Sequence, residues 1–284
     1  MRATRLACCL PVSPLRPRRR ALPKARQIMR MTTVCNVAAA TALTVFSLVS
    51  HAGIQVGGTR VIFDAKAQAR DTSVAVRNKG ETPYVIQTFV DDGNGVTRRM
   101  PFTVTPPTFR LDGGKEQLVG IRYVQRGKGL PQDVESVYWL NVKEIPPTDK
   151  SKAGVNTLKI AVLTRIKLFY RPAGLAGMAA DAPSQLKWSV MSNPLGQGAA
   201  LKVSNPTPYH VTFSTLDVQG AQNESINVDM VNPRSDLIIP IPSRAVPKVG
   251  AVKFSYTTIN DYGAVTPATE VTAQPAGAPE VALK

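Results

Sequence analysis

The residues that most often carry chemistry are scarce in this 284-residue chain and badly placed for it. Its three cysteines, Cys8, Cys9 and Cys35, all precede the region that reads as folded protein, and of its two histidines, His51 and His210, only His210 lies inside that region. A Cys/His zinc site needs four such ligands, and a Cys nucleophile with a His base needs one of each. Neither set is available. The chain also lacks a Gly-x-Ser-x-Gly turn, so an exported hydrolase is disfavoured. Asp91, Asp92 and Asn94 ahead of Gly95 have oxygen ligands at a spacing that could suit calcium, but no Glu follows at the required position. The segment therefore reads as a hairpin turn. The inventory predicts a protein that is not an enzyme and holds no metal or cofactor.

What remains is chemistry of contact. The run Leu158 to Pro172 alternates apolar and polar residues, carries Lys167, and ends in Tyr170-Arg171-Pro172. Leu158, Ile160 and Val162 are two apart and share one face of a strand, whereas Lys167, five beyond Val162, falls on the other. Such a strand could offer an apolar ladder to a partner while its lysine reaches into a different space. The plainer reading of the same run is a central core strand.

The N-terminus sets the expected compartment. Residues 1 to 30 hold nine basic residues and no acidic one, and an apolar run from Val37 to Val49 follows, then Ser50-His51-Ala52. This order is that of a secretory signal peptide, with cleavage expected after Ala52 and the periplasm as the destination. The apolar run is too short for a spanning helix, which needs about 20 residues, so no stable membrane insertion is expected. A start at Met29 or Met31 would leave an ordinary signal, so the upstream segment reads as a misassigned start. The rival reading, a basic arm for nucleic acid, is set aside because the export signal follows directly. Nine of the 35 Lys and Arg residues leave with residues 1–52 and none of the 19 Asp and Glu, so the net charge drops from +16 to +7. The remaining charge favours anionic partners weakly and identifies none.

From Gly53 onward, short alternating runs are broken by Gly, Pro, Asn and Asp. They include Gln55 to Phe63, Thr72 to Arg77, Tyr84 to Val90, Gln117 to Tyr123, Val137 to Val142 and Leu158 to Tyr170. The rhythm resumes after residue 185, and the two sets predict an all-β chain of two sandwiches. The expected domains are 53–172 and 186–273, joined by an Ala/Gly/Pro-rich linker over 173–185 and followed by a loose tail over 274–284. Trp139 and Trp188 are expected to pack in the two cores, and His210 to be a surface or core residue.

Several blocks taken together resemble the periplasmic pilus-assembly chaperones, the PapD-like immunoglobulin-fold family. They are Thr59-Arg60-Val61-Ile62-Phe63, Thr105-Pro106-Pro107 with Arg110-Leu111, and Leu130-Pro131-Gln132-Asp133. Glu135 to Asn141, Glu144-Ile145-Pro146-Pro147 and Ile166 to Pro172 follow, then Asn205 to Tyr209, Pro233-Arg234-Ser235 and Asn260-Asp261-Tyr262-Gly263. The resemblance spans about Gly57 to Gly263. The short stretch Pro147 to Asn156 and the lack of cysteines after residue 52 are similar to the short-loop branch of the family, which serves rod-like pili.

The resemblance implies two immunoglobulin-like domains at an angle, with a cleft between them. It implies a binding protein that lends an edge strand to pilus subunits lacking their own last strand, then delivers them to an outer-membrane usher. Leu158, Ile160 and Val162 would be the donor side chains, each worth about 1.5–3 kcal/mol on burial before costs. Arg60 and Lys167 would bind the subunit's C-terminal carboxylate. Glu135, Arg171 and Asp261 would form a structural ion network at the domain junction. Thr105 and Pro106 would pack against the loop ahead of the donor strand. An exposed donor edge would also favour self-association. The alternative is an exported adhesin or carbohydrate-binding sandwich, which would call for aromatic clusters on loops; here Tyr, Phe and Trp lie mostly within strand patterns.

Overall fold

The computed structural model describes residues 53–67, 71–124, 129–147, 156, 158–246 and 248–276. The expected signal segment, most of the 147–156 loop and the end of the tail lie outside the described residues. Two β-sandwiches account for nearly all of what is described, as the alternation predicts.

The first domain contains β1 (Ile54–Val56), β2 (Arg60–Asp64), β3 (Asp71–Asn78), β4 (Tyr84–Asp91), β5 (Phe102–Thr105) and β6 (Thr108–Leu111). It continues with β7 (Glu116–Tyr123), β8 (Ser136–Ile145) and β9 (Leu163–Arg171). One sheet has the order β1-β3-β7-β5 and the facing sheet the order β2-β9-β8-β4-β6. Their inner faces meet in a core that includes Val76, Ile86, Val119, Ile121, Leu140, Ile166 and Leu168. The second domain contains β10 (Lys187–Ser192), β11 (Ala199–Asn205), β12 (Val211–Gln219), β13 (Glu224–Ser225), β14 (Met230–Val231), β15 (Ser235–Pro240), β16 (Val252–Thr258) and β17 (Thr269–Pro275). Trp188 packs there against Phe254, Phe213 and Tyr256.

Strand β9 organises everything that follows. Ile166, Leu168 and Tyr170 point into the first core, and period two sends Arg165, Lys167, Phe169 and Arg171 to the opposite face. Lys167 and Phe169 are nevertheless buried, because that face is covered too: Phe169 lies 5.5 Å from the ring of His210 in the second domain. β9 is thus wrapped on both faces at its C-terminal end.

Its N-terminal end is different, and corrects the expected strand over 158–170. The ladder with β8 ends at Lys143↔Leu163, with one further bond from the Glu144 amide to the Val162 carbonyl. β2 pairs with β9, in parallel, only from Arg60↔Lys167 onward. Residues 158–162 lie outside any strand. Leu158, Ile160 and Val162 are 88%, 68% and 46% exposed.

The 173–185 linker contains a 3-10 turn over Ala179–Gln185 and packs against the second domain, with Leu175 and Ala182 buried in its core. The tail begins later than residue 274, because Gln274 and Pro275 pair in parallel with Ser189 and Val190. Among the described residues no helix is long and apolar enough to cross a membrane.

Candidate functional site

Phe169 and Arg171, at the C-terminal end of the outward row of β9, line a cleft of about 370 Å³ whose walls come from both domains. Arg60, Glu135, Phe169 and Arg171 supply the first-domain side; His210, Ile259, Asp261 and Tyr262 are on the other. The parallel register brings Arg60 beside Lys167 on neighbouring strands, whose spacing is about 5 Å. Two cations expected on the strength of resemblance alone are therefore neighbours in space.

Their partners differ. Arg60 Nη1 donates to the Ile259 carbonyl at 2.9 Å, and its guanidinium lies 5.6 Å from the centre of the Phe169 ring. Its buried Nε has no hydrogen-bond partner among the described residues. Burial lowers the pKa of Arg60 from its ordinary value, against the opposing charges of Asp261 and Glu135. Lys167 Nζ lies 2.5 Å from Asp229 Oδ1 and 5.5 Å from the centre of the Trp139 ring. The lysine side chain is 9% exposed, that of Asp229 70%.

Glu135, Arg171 and Asp261 do come together. Arg171 holds Asp261 in a two-bond fork, Nη1 to Oδ2 at 2.7 Å and Nη2 to Oδ1 at 3.0 Å. Its Nε and Nη2 both donate to Glu135 Oε1, at 3.0 and 2.8 Å. Burial would lower the pKa of Arg171, but the bonds and charges of Asp261 and Glu135 outweigh it and hold the pKa above its ordinary value. The other oxygen of Glu135 accepts from both the backbone amide and Nδ1 of His210, each at 2.9 Å. A carboxylate with 2% exposure thus has its two oxygens divided between an arginine and a histidine from different domains.

Sequence reasoning missed His210 in this role, as well as Asp229 and Arg165. Arg165 bonds to buried Asp91 at 2.9 Å and sits 4.9 Å from the centre of the Trp139 ring. Trp139 is therefore not a core residue: it lies on the cleft-side face of β8, opposite Lys167 in register, where its ring contacts two cations. The Asp91–Gly95 segment is not the hairpin turn expected, because β4 and β5 on either side of it lie in different sheets; it is a bend in which Asp91 accepts from the Gly93 amide and Asp92 from the Asn94 amide. Among the described residues no three His, Cys, Asp or Glu side chains are grouped to hold a metal ion. Thr88 hydroxyl and amide bond the carbonyls of Pro106 and Pro107. The loop expected to meet Thr105 and Pro106 lies mostly outside the described residues.

The two sandwich domains agree with what the comparisons find. Residues 53–176 match the family described as "Pili and flagellar-assembly chaperone, PapD N-terminal domain", and residues 181–270 match "Pili assembly chaperone PapD, C-terminal domain". The probable fimbrial chaperone LpfB of Escherichia coli O157:H7 is 41% identical over 229 residues, covering 80% of this chain and 91% of that protein. The chaperone protein FimC of Escherichia coli K12 is 38% identical, covering 77% and 83%. A crystal structure of the YadV chaperone superposes with a TM-score of 0.66 at 36% identity, covering 78% of this chain and all of the other. The chain belongs to the pilus-assembly chaperone family.

Proposed function

We infer that this fimbrial chaperone works in the periplasm, where it caps pilus subunits by strand donation and passes them to an outer-membrane usher. One observation carries the reading: among the described residues, the edge of β9 opposite β8 has no partner up to the point where Lys167 meets Arg60. Among the described residues, Leu163 to Ile166 of β9 have no β2 partner, so a guest strand can pair along them. A guest whose chain ends at Lys167 would run parallel to β9, in line with β2. Its terminal carboxylate would then meet the start of β2, where Arg60 offers a planar fork and Lys167 a compact charge.

The apolar ladder has a related logic. Leu158, Ile160 and Val162 share parity with Ile166, Leu168 and Tyr170, which fill the chaperone's own core. Once extended as a strand, the same row would run from the host core into that of the guest. The three exposed side chains would be buried against a subunit that lacks its own strand there.

The test is co-purification from the periplasm with a fimbrial subunit, comparing the unaltered protein with Lys167→Ala and Arg60→Ala. A one-to-one complex lost in both variants, each still folded, is the expected result. Complexes that survive both substitutions would overturn the carboxylate anchor. A protein that captures no subunit would favour the adhesin reading.

A further inference from the structure

The ammonium assigned to the guest is already occupied. Lys167 Nζ is held at 2.5 Å by Asp229, a residue of the other domain. Asp229 sits in the segment ahead of β14, and its position is fixed through the backbone: its carbonyl accepts from the Phe213 amide at 2.9 Å, and Met230 pairs with Thr212. Among the described residues its carboxylate has one partner, Lys167. Among the described residues Arg60 has no carboxylate bound to it and donates to the Ile259 carbonyl.

We propose that Asp229 is an internal stand-in for the guest's terminal carboxylate, one that must leave Lys167 before a subunit can be anchored. The proposal rests on the anchor reading above. A lysine in so covered a position is costly to leave without an anion, and Asp229 removes that cost from the empty chaperone. Two carboxylates crowded onto one ammonium repel each other, so the guest's carboxylate and Asp229 exclude one another at Lys167. The side chain that must leave is 70% exposed and returns to water with little loss. Capture is therefore an exchange of one ion pair for another, and apparent affinity falls by the fraction of molecules in which Lys167 is free. Release is eased in the same way, because Asp229 re-pairs with the lysine as the guest departs.

The experiment uses a synthetic peptide with the sequence of a fimbrial subunit's C-terminal strand, in free-acid and C-terminally amidated forms. Each is titrated against the chain, Asp229→Asn, Asp229→Ala and Lys167→Ala. The unaltered chain should prefer the free acid, and both Asp229 variants should bind it roughly three- to tenfold more tightly with no change for the amide. Two variants of different size separate loss of charge from local misfit. If the unaltered chain prefers the acid but neither Asp229 variant gains, Asp229 is a support for Lys167 rather than its competitor, and the proposal falls while the anchor stands. If the unaltered chain does not distinguish acid from amide, the anchor reading fails and takes the proposal with it.

Discussion

Arg171 and Arg60 lie on adjacent strands of one sheet, face the same cleft, and have opposite surroundings. Arg171 is closed on all sides by anions of its own chain: Glu135 from the first domain and Asp261 from the second use its Nε and both terminal nitrogens. Among the described residues Arg60 has one carbonyl, a ring face and a buried nitrogen without a partner. What an arginine does in this cleft is decided by whether the fold supplies its counter-ion. Where a carboxylate is bound directly, the cation joins the two domains; on the reading proposed above, the cation without one is left for a ligand.

That contrast can be tested by substitution. The largest effect is expected at Glu135, whose replacement by Ala leaves a mostly buried Arg171 with Asp261 as its one carboxylate and the His210 amide without its acceptor. Removing one member of such a buried network costs about 3–5 kcal/mol, readable by chemical denaturation. A loss under about 1 kcal/mol would mean that water replaces the carboxylate freely, and the closed half of the comparison would collapse. Arg60→Ala should behave in the opposite way, leaving the denaturation midpoint nearly unchanged while abolishing subunit capture.

Smaller effects sharpen the account of the bare edge. Ile160→Asp should weaken subunit capture at least tenfold while shifting stability by no more than about 0.5 kcal/mol, since the position is exposed in the free protein. Equal losses in both measurements would mean that the segment belongs to the fold. The smallest effect is expected at Glu144, at the far end of β8, where burial raises the pKa of the carboxyl above its ordinary value. A raised carboxyl pKa means the folded state holds the proton more tightly than the unfolded chain. That contribution is complete at acid pH and lost as pH rises through the folded value. Glu144→Gln should accordingly flatten the stability profile across that window and slightly stabilise the protein above it.

The β class and the two-domain rhythm were legible because half-buried strands alternate, and because Gly, Pro and Asn break the runs between them. Where β9 begins was not legible. Leu158 to Val162 alternate as well as Ile166 to Tyr170 do, and only the reach of β8 and β2 decides which of them pair. Residues 173–185 read as a linker from their small residues, yet Ala182 is small because it is packed in a core. The site divided along similar lines. Arg60, Lys167, Glu135, Arg171 and Asp261 stand in blocks whose order resembles a family. Asp229 and His210 become meaningful only when the second domain folds against the first, and neither has a local pattern that marks it.

The cleft also bears on how such proteins can be recombined. Gly263 has a φ of +81°, and a Cβ there would lie 2.4 Å from the hydroxyl of Thr59 in the first domain. Glu135 likewise needs His210, and Arg171 needs Asp261, each pair divided between the domains. The two sandwiches are therefore poor modules for exchange. A chimera joining the first domain of one relative to the second of another must carry these matched positions across together. Otherwise it inherits a clash at one lip of the cleft and an unpaired charge in its floor.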